Sequence, residues 1–130
     1  MNAAIPAMLP LLVFEAADCL MAIPASEVTT YRKRVDAPFI ALDLSEYFAG
    51  IESDGPWLHW ARDTRSAWLR VRRVLDVVPV ALSTLTPMPA LLGAPQRTSA
   101  FIAAGACGDD LFLLLDPARL RTDRSGEATP

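Results

Sequence analysis

The residue best suited to proton transfer near neutral pH is His59, the single histidine of the chain. Asp54 and Asp63 stand close to it in sequence and are the carboxylates that would orient an imidazole. No serine or cysteine sits in a nucleophile motif. There is no G-x-S-x-G, and the glycines at 50, 55, 93, 105, 108 and 126 make no G-x-x-x-x-G-K phosphate cradle. Cys19 and Cys107 lie in apolar segments, where buried, inert thiols are expected. One histidine and two cysteines fall short of the four ligands of a structural zinc site. Asp43 and Asp116 read as helix caps, not as an acid–base pair. The sequence therefore predicts no catalytic, cofactor or metal site, with His59 on a strand surface. A small enzyme or ligand-binding barrel using His59 is the alternative reading.

Residues suited to protein contact are more numerous. Arg70, Arg72 and Arg73 form a basic cluster on a strand, and Arg32-Lys33-Arg34 form another in a connection. Each reads as a solvated, aggregation-blocking surface or as a contact to an acidic partner. Trp57, Trp60 and Trp68 fall close together. In an alternating strand Trp57 and Trp60 share no face, so at least one is expected in the core. An exposed one would be a binding anchor.

Bulk properties narrow the classes. The 130 residues suffice for one domain with one ordinary core. Apolar residues make up 52%, which excludes a disordered chain. Twelve basic against 15 acidic residues give a net charge of −3, which argues against nucleic acid as a partner. No apolar run reaches the ~18 residues of a membrane helix, so direct membrane insertion is not expected. Residues 1–14 lack Lys and Arg and are broken by Pro6 and Pro10, unlike a signal peptide. A cytoplasmic protein is the expectation.

The elements that must position these residues are mostly strands. Residues 1–8 read as a loose arm, and 122–130 as a disordered tail. Between them, Leu9–Glu15 and Cys19–Ile23 predict a hairpin turned at Ala16-Ala17-Asp18. Val28–Tyr31 extends, and Phe39–Leu42 is a short buried strand. Asp43 caps a helical turn, Leu44–Phe48, that ends near Gly50. Trp57–Ala61 and Ala67–Val71 pair across Arg62–Ser66. The alternation slips at Arg73-Val74, which predicts a bulge. Leu75–Ala81 carries Pro79, a mark of an edge or a bend. Thr84–Gln96 is a loop or short helix. Ser99–Ala104 and Leu111–Leu115 make a last hairpin, followed by a helix start at Asp116-Pro117. Many short strands without a βαβ rhythm predict an all-β barrel or sandwich. An echo between Ile23–Tyr31 and Val71–Val80 suggests two halves.

The order of these segments resembles the CheW-like family. The resemblance rests on LVFEAADCLMAIPASEV, APFIALDLSEYF, VLDVVPV, LTPMPALL and FIAAGACGDDLFLLLDPARL, and runs from Leu9 to Arg121. It implies an all-β fold of two small SH3-like β-barrels over 9–121, the first one reduced, with short helical turns. It implies a non-catalytic adaptor that couples the cytoplasmic tip of a chemoreceptor to a CheA-type histidine kinase at receptor arrays. Carried over by position, the partner-binding residues would be Val28, Thr30, Tyr31, Pro38, Val74, Asp76 and Val77. Two departures stand out. The helix, strand and N-L-R-G motif that the family places between the Val28 region and the P-x-x-D-L segment are missing, since Arg32–Ala37 alone separates Tyr31 from Pro38. Arg72 also stands where the family has an acidic residue. The chain thus resembles the truncated CheW-like adaptors of gliding-motility pathways, with receptor binding expected and kinase binding in question. Homodimerisation through a strand edge left open by the missing segment is a third reading.

Overall fold

The computed structural model describes residues 7–35, 40–88 and 100–120. Ten strands are found there: β1 (Met8–Ala16), β2 (Cys19–Pro24), β3 (Val28–Arg32), β4 (Ala41–Asp43), β5 (Trp57–Arg62), β6 (Arg65–Arg70), β7 (Arg73–Ala81), β8 (Thr86–Pro87), β9 (Phe101–Cys107) and β10 (Asp110–Leu115). One α-helix, α1 (Leu44–Ala49), and 3-10 turns at Ala25–Glu27, Leu82–Thr84 and Pro117–Arg119 complete them. The strands form a six-stranded sheet ordered β7-β1-β2-β10-β9-β8 and a four-stranded sheet ordered β3-β5-β6-β4.

The first strand explains why the sequence opens on an unbroken apolar run. Leu11, Leu12, Val13 and Phe14 are all buried, so β1 has no solvent face. One side of it, through Leu11 and Val13, joins Ala22, Val80, Phe112 and Leu114 in a core enclosed by the six-stranded sheet. The other side, through Leu12 and Phe14, joins Met21, Ile23, Leu58, Trp60 and Leu69 in a second core. That second core lies between the two sheets. Side chains in a strand alternate faces, and here each face meets its own core.

Local signals set the ends of the elements. The β1–β2 hairpin turns on Ala17 and Asp18 at φ 52° and 60°, as a two-residue turn matching strand twist requires. Asp43 caps α1 by accepting hydrogen bonds from the amides of Ser45 (3.0 Å) and Glu46 (3.2 Å). Gly50 ends the helix at φ 77°. The Ala17 amide donates to Ser45 Oγ (3.0 Å), and Phe48 stacks on Phe101 with ring centroids 4.7 Å apart. The helix thus closes one end of the core between the sheets.

Several expectations are corrected in detail. The β5–β6 turn is Asp63-Thr64 and not the longer Arg62–Ser66, because both strands extend towards it. The chain breaks at Val71-Arg72, and the bulge falls at Leu75: Val13 pairs with Asp76 and Phe14 with Val74. Cys19 is exposed, not buried, because it directly follows the hairpin turn; Cys107 is half-buried. The helix start at Asp116-Pro117 gives a single 3-10 turn. The arm at 1–6, most of the Thr84–Gln96 connection and the tail lie outside the described residues.

Candidate functional site

The two stretches singled out by the resemblance lie on the outermost strands of the two sheets. Val28, Thr30 and Tyr31 are on β3, at one edge of the four-stranded sheet, and Val74, Asp76 and Val77 are on β7, at one edge of the six-stranded sheet. Pro38 lies outside the described residues.

Register decides which of them share a face. Residues directly opposite across a ladder project to the same side. Val74 stands opposite Phe14 and Val77 opposite Leu12, both on the side of the core between the sheets. Val28 stands opposite Trp60 and Tyr31 opposite Leu58, again on that side. Val28 and Val74 are half-buried and pack against the shared core. Tyr31 and Val77 project past it, with 62% and 48% of their surfaces exposed. Thr30, opposite His59, and Asp76, opposite Val13, point the other way. A bulge at Thr29 and another at Leu75 produce this split, since each extra residue reverses the facing of the strand beyond it. Four of the seven residues therefore face that core from the rims of the two sheets: Val28 and Tyr31 from one sheet, Val74 and Val77 from the other. Asp76 instead accepts a hydrogen bond from the Val77 amide (2.7 Å), which fixes the strand beside the bulge.

Sequence reasoning missed the polar clasp near Val28. Arg62 donates from Nε to Glu27 Oε2 (2.8 Å), from Nη2 to Glu27 Oε1 (3.0 Å) and from Nη1 to Asp116 Oδ1 (2.9 Å). Trp60 Nε1 donates to Glu27 Oε1 (2.8 Å), and the Arg62 guanidinium lies 5.4 Å from the Trp60 ring centroid. The hydrogen bond to Glu27, chiefly, with Asp116 beside it, pushes the Arg62 pKa above its ordinary value. This group ties the turn before β3 and the end of β5 to the turn after β10, joining the two sheets. Only the capping role of Asp116 could be read from sequence, because Glu27 and Asp116 lie 35 and 54 residues from Arg62.

The remaining candidates resolve as packing or solvated charge. Trp60 and Trp68 are buried and Trp57 is half-buried, so none of the three is an exposed anchor. His59 is half-buried on the far face of the four-stranded sheet. A 2.6 Å hydrogen bond joins its Nδ1 to Thr29 Oγ1, and its ring lies 4.8 Å from that of Trp68. No hydrogen bond or ion pair joins it to Asp54 or Asp63. Arg73 pairs with Glu15 at 2.7 Å, and Arg72 approaches the same carboxylate at 4.0 Å. An open cleft of about 290 Å³ lined by Ile40, Trp60, Arg65, Ala67, Pro117 and Leu120 lies elsewhere, without His59. Among the described residues no group of three or more His, Cys, Asp or Glu could hold a metal ion, and no helix is long and apolar enough to cross a membrane.

No family model matches the sequence, and no curated protein matches it. A solved structure does: the scaffolding protein TtCheW from Thermoanaerobacter tengcongensis, at 18% identity and a TM-score of 0.67, over 85% of this chain and 89% of that one. An all-β pair of sheets with two cores, superposing over nearly all of both chains, gives this protein the CheW-like fold.

Proposed function

We propose that this chain is a non-catalytic adaptor of the CheW type, which binds the cytoplasmic tip of a chemoreceptor and couples it to a CheA-type histidine kinase. Val28, Tyr31, Val74 and Val77 are its apolar anchors, and Thr30 and Asp76 flank them. The observation that carries this reading is that two edge strands, far apart in sequence and in different sheets, turn apolar side chains towards the core between the sheets. Affinity at such a surface comes from a few apolar anchors inside a polar border. The likeness to a scaffolding protein supports the same reading. The chain acts in the cytoplasm, at receptor arrays.

The test is a pull-down against a receptor's cytoplasmic tip and, separately, against the kinase regulatory domain. Val28→Asp and Val74→Asp run beside the parent protein after a check of folding. Binding to both partners, lost in both variants, supports a working coupler. Binding to the receptor alone supports an adaptor without kinase contact. Binding to neither overturns the reading.

A further inference from the structure

We infer that the free edge of β3 is a second docking site, which takes an extended segment carrying acidic residues at alternate positions and adds it as a fifth strand to the four-stranded sheet. β3 pairs with β5 on one side and, among the described residues, with no strand on the other. An open edge offers a row of backbone donors and acceptors to an incoming strand. Its sequence, Val28-Thr29-Thr30-Tyr31, is rich in the β-branched and aromatic residues that favour such pairing.

The two faces beside this edge differ in chemistry. Thr30 and Arg32 project to the face away from the core, in line with His59 and Trp57. Arg70 stands opposite Trp57 in the same row, so the row reads Arg32, Trp57, Arg70 across three strands. The Arg32 guanidinium lies 5.7 Å from the Trp68 ring centroid and that of Arg70 5.4 Å from the Trp57 ring centroid. Aromatic faces hold both groups without neutralising them. Arg70 donates to the Gly55 carbonyl (3.0 Å), not to a carboxylate. Arg32, Lys33 and Arg34 are exposed and form no ion pair among the described residues. The core-side face offers Tyr31 and Val28 instead.

A strand laid along this edge therefore meets Tyr31 and Val28 on the core side, Arg32 on the other, and Lys33 and Arg34 where β3 ends. The matching segment alternates Glu or Asp with Val, Thr or another apolar residue. A second copy pairing through its own β3 matches poorly, because it brings three more cations to the same edge. The charge is notable on a chain whose net charge is −3.

The probe is a synthetic peptide, acetyl-Thr-Glu-Val-Glu-Thr-Glu-Val-Glu-amide, with a control in which each Glu is Lys. Affinity is read by titration calorimetry and strand addition by amide hydrogen exchange. The expected result is binding of the acidic peptide only, with exchange slowed at residues within Thr29–Arg32. Raising salt from about 0.05 M to about 0.5 M weakens it about tenfold. Reversing two exposed charges, Lys33→Glu with Arg34→Glu, weakens it about tenfold or more, whereas Leu111→Asp, at an exposed position of the other sheet, leaves it unchanged. No binding of the acidic peptide overturns the inference. Binding with unchanged exchange along β3 also overturns it, since charge alone then suffices. So does capture by phosphatidylglycerol vesicles without capture of the peptide, which assigns the basic stretch to a lipid surface.

Discussion

Arg62 grips Glu27 with two parallel hydrogen bonds of 2.8 and 3.0 Å, across 35 residues of sequence and from one structural unit to another. A third bond, to Asp116 at 2.9 Å, extends the grip to the turn after β10. This is the polar counterpart of the apolar core between the sheets. The planar guanidinium satisfies two carboxylates at once, a geometry that lysine does not reproduce.

Arg62→Ala is therefore expected to lower stability by about 1–2 kcal/mol, allowing for solvent screening of a half-buried group. Arg62→Lys recovers less than the whole of that loss. The pKa of Arg62 is raised, so its contribution is fully present below the ordinary guanidinium pKa and fades only at strongly alkaline pH. The deficit of the alanine variant should then stay constant from about pH 6 to about pH 9. Urea unfolding at several pH values checks this, and a deficit that vanishes within that window contradicts it.

Legibility in the sequence depends on range. Signals acting within a few residues are readable: Asp43 as a cap, Gly50 as the helix end, a turn at Ala16-Ala17-Asp18 of which the strand takes up Ala16, Asp116 before Pro117. The strand edge at Pro79 is readable too, because proline cannot donate to a ladder. The all-β, two-barrel class comes from the number and spacing of short strands together with the family resemblance. What stays hidden is anything set by long-range register. The bulge at Thr29 leaves no sequence signal, and the one at Leu75 lies a residue away from the slip in alternation. Yet these two decide that Tyr31 and Val77 face the core side while Thr30 and Asp76 do not. The partners of Arg62 are hidden for the same reason. The exposure of Cys19 escapes a sequence reading because apolar neighbours say nothing about a position at a hairpin tip.

The two-core arrangement predicts an unusual pair of mutants. In a strand with one solvent face, only every second truncation is costly. Here Leu11→Ala and Leu12→Ala, adjacent in β1, should each cost about 2–5 kcal/mol, because each empties a space in a different core. Chemical denaturation of the two variants measures it. A cost below about 1 kcal/mol for either one contradicts burial on both sides.

Gly55 predicts a backbone effect. A Cβ there would run into the carbonyl oxygens of Val71 and Arg72, backbone atoms that cannot swing aside. The same loop is tied down by the Val71 amide donating to the Pro56 carbonyl (3.0 Å). Gly55→Ala should cost about 2 kcal/mol or more. Gly108, at φ 64° with open space around it, needs only its left-handed backbone, so Gly108→Ala should cost about 1 kcal/mol. Thermal unfolding of the two variants side by side checks the difference, and equal costs contradict the close approach.

The rim facing the core between the sheets, and not the β7 strand as such, is the surface that should hold the partner. Two neighbouring residues on β7 separate these directly, because Val77 faces the rim and Asp76 faces away. The measurement is the affinity of Val77→Asp and Asp76→Lys for a receptor's cytoplasmic tip, each variant first shown to be folded. A rim-based interface predicts that Val77→Asp weakens binding about tenfold or more while Asp76→Lys changes it less than about twofold. Equal losses, or a larger loss for Asp76→Lys, would contradict it.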